Sequence, residues 1–344
     1  MQIKQLVALS LITLIFAGWA AGLSYVTALT VPVVVGAPVT VEIAKGDSFD
    51  RITGKLIAQK LAIKPFWFKC IAFRQNTYQR LKAGEYELPV GVTVPQILML
   101  LALGKTKQHA ITFPEGWAFK QFIEELNKNQ SIGHSAELAS AALGSIADAS
   151  ALKKRLSAQG IDIEHPEGQF FPDTYYFAKY TQDVAVLKMA YDKMQRIIAH
   201  EWQYKADGLP LKSPYEALIL ASVIEKETGQ KSERPQIAGV FTRRLQAGMM
   251  LQTDPTVIYG MGELYHGNIS RQDLLTATPY NTYQMIGLPP TPIAMPGQDA
   301  IHAALHPDEG DSLYFVARGD GSHVFSATLA AHNQAVNLYQ RNRP

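Results

Sequence analysis

The chain has 344 residues, room for two ordinary domains or one large one at roughly 150 residues per domain. Hydrophobic residues make up 47% and charged residues 18%, which excludes a wholly disordered chain. Against 32 Lys+Arg stand 30 Asp+Glu, a net of +2, so no basic surplus points to nucleic acid. The lone cysteine, Cys70, can form no intramolecular disulfide and no CxxC motif, which leaves the redox compartment open.

Charge placement says more than charge total. Between Lys4 and Glu42 no residue is charged, and Leu6 to Leu29 reads LVALSLITLIFAGWAAGLSYVTAL. That run exceeds the roughly 20 residues a membrane-spanning helix needs. Lys4 flanks it on the N-terminal side and the next Lys or Arg is Lys45, so the positive-inside rule predicts a cytoplasmic N-terminus and export of everything after residue 30. A cleaved signal peptide is the alternative, since Ala17 to Ala21 offers small residues near a cut. The apolar run continues well past that point and favours a retained single-pass anchor with the body of the protein outside the cytoplasm. No cysteine follows the segment to carry a lipid.

Three regions are expected: an anchor over 1–30, a small α+β module over 31–108, and a larger mixed α+β domain over 109–344. The fold class is α+β. Val39 to Ala44 reads as a strand, and KGDSFDRITGKL as a helix capped by Asp47 or Ser48. An aromatic helix follows at Pro65 to Phe73, then a short strand at Gly84 to Leu88. A helix within Gly91 to Leu103 presents Val94, Ile97, Leu98 and Leu101 at core spacing. A spacing recurs along the chain: Gly46, Ile52, Leu56; Gly91, Ile97, Leu101; Gly116, Phe122, Leu126. Each is a turn glycine feeding the core face of a short helix.

Further on, Ile111 to Leu126 gives strand, turn and helix. Residues 131–156 are alanine-rich and read as surface helix, and Gly168 to Phe177 (GQFFPDTYYF) as an aromatic loop. Val184 to Trp202 is amphipathic. Leu313 to Ala317 and His323 to Ser326, joined by RGDGS, form a hairpin by turn chemistry, and a short helix starts at Leu329.

The most informative segment is SPYEALILASVIEKETG, Ser213 to Gly229. Ser213, Pro214 and Glu216 fit a capping box with proline at the first helical position. Gly229 suits the far end, and from Ala217 to Ile224 only Ser222 is polar, the mark of a buried helix. At its C-terminal end stand Glu225 and Glu227, where the macrodipole disfavours carboxylates. Desolvation by the apolar stretch adds to that and raises at least one pKa, which suits a general acid. The two residues lie about 200° apart around the helix and cannot share a pocket face. Glu227 borders the bulkier apolar side and is the better acid; Glu225 is the secondary carboxylate. Taken alone, such a pair is more often a solvated helix end, here salt-bridged by Lys226, Lys231 or Arg234.

The surrounding loops favour the functional reading. LQTDPTVIYGMG (Leu251 to Gly262), TPYNTYQMIGLPPTPIAMPG (Thr278 to Gly297) and FFPDTYYF are dense in amides, hydroxyls and rings. Such groups suit a polyhydroxylated, acetamido-bearing ligand.

Taken together, ASVIEKET, ERPQIAGVFTRRL, LQTDPTVIYG, YNTY, GLPP and YFVA…GSHVFSATLAAHN resemble the MltG/YceG-like endolytic murein transglycosylases over essentially the whole chain. The region Val39 to Gly104 resembles a LysM-like module, a unit that often grips N-acetyl sugars; it reads equally well as a spacer holding the catalytic part off the membrane. The resemblance implies cleavage of the MurNAc–GlcNAc β-1,4 bond without water, giving a 1,6-anhydro end. It places the catalytic carboxyl on the second Glu of EKET, Glu227, acting as acid and then base. It also implies peptidoglycan strands as substrate and cell-wall synthases as neighbours. Two positions depart from the pattern: Met295 before the PG of IAMPG, and Thr291 after GLPP. No sugar contact is assigned to Met295.

Gln252, Thr253, Asp254, Tyr259, Asn281 and Tyr283 are the candidates for binding substrate and stabilising an oxocarbenium-like transition state. Asp254 and Glu233 are candidate second carboxylates, which a hydrolysing glycosidase would need. Arg243 and Arg244 read as a solvated helix face, with Glu233 a partner. The nine histidines show no HExxH or His-rich metal spacing, and neither metal nor cofactor is expected. GxSxG, P-loop and GxGxxG motifs are absent from the sequence. Two rivals remain: a muramidase hydrolysing the same bond, and a non-catalytic glycan-binding scaffold.

Overall fold

The computed structural model describes residues 2–136, 138 and 147–341. The chain divides into two compact units, one of residues 1–109 with 176–180, the other of 110–175 with 181–344.

The first unit begins with helix α1 (Gln2–Thr30), whose span Ile3–Thr30 is long and apolar enough to cross a membrane, with a mean hydropathy of 2.2. Strand β1 (Val39–Ile43), helices α2 (Phe49–Ala58) and α3 (Pro65–Arg74), strand β2 (Gly84–Leu88) and helix α4 (Val94–Leu103) follow. β1 and β2 pair antiparallel, Val41 opposite Tyr86. Alternation along both strands turns Val41, Ile43, Tyr86 and Leu88 into a core shared with Ile52, Leu56, Phe68, Ile97, Leu98 and Leu101. The end of α1 joins this unit through Ser24, whose hydroxyl accepts from Trp67 Nε1 at 2.9 Å and Lys64 Nζ at 3.0 Å. Lys179 closes the other side, bonding Glu42 at 2.9 Å and Glu85 at 3.1 Å.

The recurring glycine spacing has a direct structural counterpart. Gly46, Gly91 and Gly116 sit at φ of +88°, +84° and +74°, conformations that exclude most side chains. The paired apolar residues six and ten positions on are all buried.

The second unit contains the strands and helices that build the cleft. Strand β3 (Gln108–Thr112), whose first two residues belong to the first unit, leads to α5 (Phe119–Lys128), β4 (Ile132–Gly133), α6 (Ala147–Ser157), β5 (Thr174–Ala178), whose residues 176–178 belong to the first unit, β6 (Thr181–Gln182) and the long α7 (Asp183–Gln203). Of the alanine-rich segment expected to be surface helix, residues 137 and 139–146 lie outside the described residues. Leu138, Leu152 and Leu156 are buried, so at those positions the surface expectation does not hold. The aromatic GQFFPDTYYF run is likewise core in part: Phe170, Phe171 and Tyr175 are buried.

Helix α8 (Pro214–Glu227) is central to this unit and is flanked by α7, α9 (Arg234–Gln246), α10 (Asp254–Met261) and α12 (Gln298–Leu305); a short helix, α11 (Arg271–Leu275), lies in the connecting loop. Ala217 to Ile224 are all buried. The Ser222 hydroxyl bonds Ile219 O at 2.7 Å and accepts from Ile293 N at 3.0 Å, satisfying the one polar group of the stretch. The N-terminus departs from a full capping box: Ser213 accepts from Glu216 N, but the Glu216 carboxylate takes Lys212 N at 2.6 Å. At the other end Thr228 is already extended, with φ −140° and ψ 136°, so the helix stops on Glu227 without a left-handed glycine. Strands β7 (Tyr314–Ala317) and β8 (His323–Ser326) form the expected antiparallel hairpin, followed by α13 (Leu329–Val336).

Candidate active site

Because α8 ends at Glu227, that carboxyl emerges from the core into a cleft of about 380 Å³. The cleft is lined by Glu227, Arg244, Gln252, Asp254, Tyr283 and, from the hairpin and α13, Tyr314, His323 and His332. Burial pushes the Glu227 carboxyl up to about 7, with the charge of Asp254 adding to the rise; the Thr253 hydrogen bond and the charges of His323 and Arg244 oppose it. A carboxyl in this range is half-protonated near neutral pH and can both give and take a proton.

Thr253 is itself buried and its hydroxyl donates to Glu227 Oε2 at 2.6 Å. Its backbone N–H is held by Thr282 Oγ1 at 3.1 Å, and Thr256 joins the same hydroxyl cluster. The preceding Gln252 lies at φ +52°, a left-handed conformation costing a non-glycine residue about 1 kcal/mol or more. That backbone is held by Thr282 O accepting from Gln252 N at 3.1 Å, and by Arg244 Nη1 donating to Leu251 O at 2.8 Å. Strain of this kind persists where the surroundings over-determine it.

Arg244 is the residue sequence reasoning placed wrongly. It is buried rather than solvated: Nε donates to Leu313 O at 2.7 Å, and the guanidinium lies over the Tyr314 ring at 5.1 Å. It therefore ties the cleft loop to the hairpin with a charge in the wall. Arg243 is held by Ser312 O at 2.8 Å and by Asp308, not by Glu233. Glu233 receives both the backbone N–H and the Nδ1 side of His323, at 3.0 and 2.7 Å. It anchors a cleft residue and does not line the cleft.

The other candidates separate cleanly. Gln252, Asp254 and Tyr283 line the cleft with Glu227, and Tyr283 donates its hydroxyl to Asp254 Oδ1 at 2.7 Å. Burial and Asp254 raise the Tyr283 pKa, so it stays a neutral donor. Asn281 is fully buried and does not line the cleft: its amide donates to the carbonyls of Asp273, Leu274 and Thr276, and its oxygen accepts from Tyr283 N. It shapes the loop that carries Tyr283. Tyr259 also lies away from the cleft, packed edge-on against Tyr280, with its hydroxyl on Glu167 at 3.2 Å.

Glu225 points elsewhere, as the helical spacing requires. Its side chain is 6% exposed and meets Arg234 Nη2 at 2.7 Å and Gly297 N at 3.0 Å. Met295 is fully buried, its backbone exchanging bonds with Gly116 and Trp117, so it presents nothing to a ligand. Thr291 shares a 2.8 Å bond with Tyr280.

Sequence reasoning missed Glu167 as well as Arg244 and the cleft role of His323. Glu167 is 4% exposed, accepts from Phe119 N at 3.0 Å and from Tyr259, and burial pushes it up to about 7. A glutamate directly before the apolar run GQFF was the available signal.

Residues 41–338 match the YceG-like family. The chain belongs to that family. The endolytic murein transglycosylase of Bacillus subtilis is 35% identical over 267 residues, 75% of this chain and 73% of that protein. The endolytic murein transglycosylase of Streptococcus pneumoniae is 28% identical over 340 residues, 92% of this chain and 61% of its own length. A YceG-like protein of Listeria monocytogenes, of known crystal structure, superposes with a TM-score of 0.53 at 31% identity, covering 86% of this chain and 98% of that one.

Proposed function

We propose that this chain is a lytic transglycosylase of peptidoglycan, cutting the MurNAc-β-1,4-GlcNAc bond within glycan strands. The observation that carries the reading is Glu227: a carboxyl pushed up to about 7, at the end of a buried helix, opening into a cleft lined by Arg244, Gln252, Tyr283 and Asp254. The names of the Bacillus and Streptococcus relatives support the substrate and the reaction.

In this mechanism protonated Glu227 gives its proton to the glycosidic oxygen as the C1–O bond breaks. The carboxylate so formed takes the proton of the MurNAc 6-hydroxyl as that oxygen bonds to C1, closing the 1,6-anhydro ring. One carboxyl completes both transfers and is left protonated for the next cycle. Thr253 holds the carboxyl in place, and Tyr283 and Gln252 offer hydrogen bonds to acetamido and hydroxyl groups. The Arg244 charge in the wall stabilises Glu227 when it is ionised.

A second reading has one observation in its favour. Asp254 lines the same cleft, and a second carboxylate is what a hydrolysing muramidase would use. Peptidoglycan digested by the detergent-solubilised full chain, with product ends read by mass spectrometry, separates the two. Anhydro ends that vanish in Glu227→Gln support the transglycosylase, whereas reducing ends move the case to hydrolysis.

The apolar span Ile3–Thr30 and the Lys4 flank support a single-pass inner-membrane anchor with the N-terminus in the cytoplasm and the cleft in the periplasm. The strand–helix–helix–strand order of residues 39–88 supports a LysM-like reading of the first unit.

A further inference from the structure

The sequence HAALH, His302 to His306, puts two imidazoles four residues apart at the C-terminal end of α12. His302 lies in the last turn of that helix and His306 caps it, and the rings stack with centroids 4.3 Å apart. It is a metal-compatible spacing without the glutamate of HExxH. From α7, Glu201 brings in a buried carboxylate, its side chain 8% exposed and 2.9 Å from His302 Nδ1. Among the described residues no lysine or arginine pairs with that carboxylate.

We propose that Glu201, His302 and His306 form a site for a divalent transition metal of the zinc class, one that clamps α7 to α12. One donor atom from each of the three lies within 4.8 Å of the others. A tetrahedral ion with bonds of about 2.0 Å holds its donors roughly 3.3 Å apart. An ion there would require the two more exposed imidazoles to turn toward the carboxylate. Two imidazoles and a carboxylate suit zinc, cobalt or nickel and not magnesium or calcium, which take oxygen shells.

The frame exists without an ion. Ala206 N donates to Leu305 O at 2.9 Å, fixing the chain beyond α7 against the end of α12. Both helices contribute to the core around α8, through Met194 and Ile198 and through Ala300, Ile301 and Ala304. None of the three donors lines the Glu227 cleft, so the bound ion acts on stability and not on the chemical step.

The test uses the untagged full chain in detergent, stripped with EDTA and dialysed. Titration with ZnCl2 by calorimetry is expected to show one equivalent bound, and Co2+ to give visible d–d absorption at the same stoichiometry. Zinc in excess is expected to raise the thermal midpoint by about 3 °C or more. His306→Ala, whose ring makes a stacking contact and no hydrogen bond among those described, should leave the metal-free midpoint within about 1 °C while weakening zinc at least tenfold. Glu201→Gln should weaken zinc similarly. Absence of binding to the wild type, or binding that survives both substitutions, overturns the proposal.

Discussion

Thr253 stands at the start of α10 yet donates its hydroxyl to Glu227 at 2.6 Å, leaving that helix without a side-chain cap. A threonine there would ordinarily bond the second or third N–H of its own helix, worth about 1 kcal/mol. Here the hydroxyl supports the charged form of Glu227. Thr253→Val removes that support, so the Glu227 pKa should rise further. Since the acid must be protonated, activity falls as pH rises through its pKa, and the variant's alkaline limb should move upward by about one pH unit. A pH profile of anhydro-end formation checks this; a limb that stays in place would refute the role given to the bond.

Glu227→Gln should lower transglycosylation by about 10³-fold or more, within the span expected for general acid–base groups. The same change should make the fold more stable at pH 8. The folded pKa, about 7, lies above the ordinary 4.5, so the folded state binds the extra proton between those values. Stability from this group is present below about pH 4.5 and is lost as pH rises through 7. Urea unfolding at pH 5 and pH 8 should show the variant gaining at the higher pH alone.

Glu167 offers the same linkage without the chemistry. It is buried between Phe119 N and Tyr259 and is also pushed up to about 7. The gap from 4.5 amounts to an upper bound on the order of 3 kcal/mol above pH 7. Glu167→Gln should therefore flatten the fall in stability between pH 5 and pH 8 and leave the product ends unchanged. A variant with wild-type pH dependence of unfolding would show that the carboxyl is not buried neutral.

The parts of this architecture legible in the sequence are those fixed locally. The glycine spacing marked three helix starts because a left-handed turn and an apolar face are properties of a dozen adjacent residues. Glu227 was legible because it ends a helix whose run from Ala217 to Ile224 is wholly buried. Arg244 was not: what buries it is the carbonyls of Leu251 and Leu313, the latter 69 residues on. Asn281 and Tyr283 look alike in YNTY, yet one amide is enclosed by three carbonyls and the other side chain lines the cleft. Composition cannot distinguish a loop's scaffold from its working face.

Glu225 supplies the contrast with its neighbour two residues on. Its carboxylate is buried against Arg234, whose side chain is 4% exposed and already has Nε and Nη1 without hydrogen-bond partners. Removing the carboxylate leaves the buried guanidinium with only its longer ion pairs, to Glu115 at 3.8 Å and Asp299 at 3.9 Å, a loss below the roughly 3–5 kcal/mol of a fully stranded charge. It also releases Gly297 N at the start of α12, beside the Glu115 carboxylate that packs too close for a Cβ at that glycine. Glu225→Ala should thus lower the denaturation midpoint sharply, whereas Glu225→Gln, which can still accept from Gly297 and Arg234, should lose less and keep forming anhydro ends. Because the damage in Glu225→Ala comes from a charge left with only those longer pairs, adding Arg234→Met should recover part of the lost stability. A double variant as unstable as the sum of the two single changes would mean that the pair contributes through packing and not through charge.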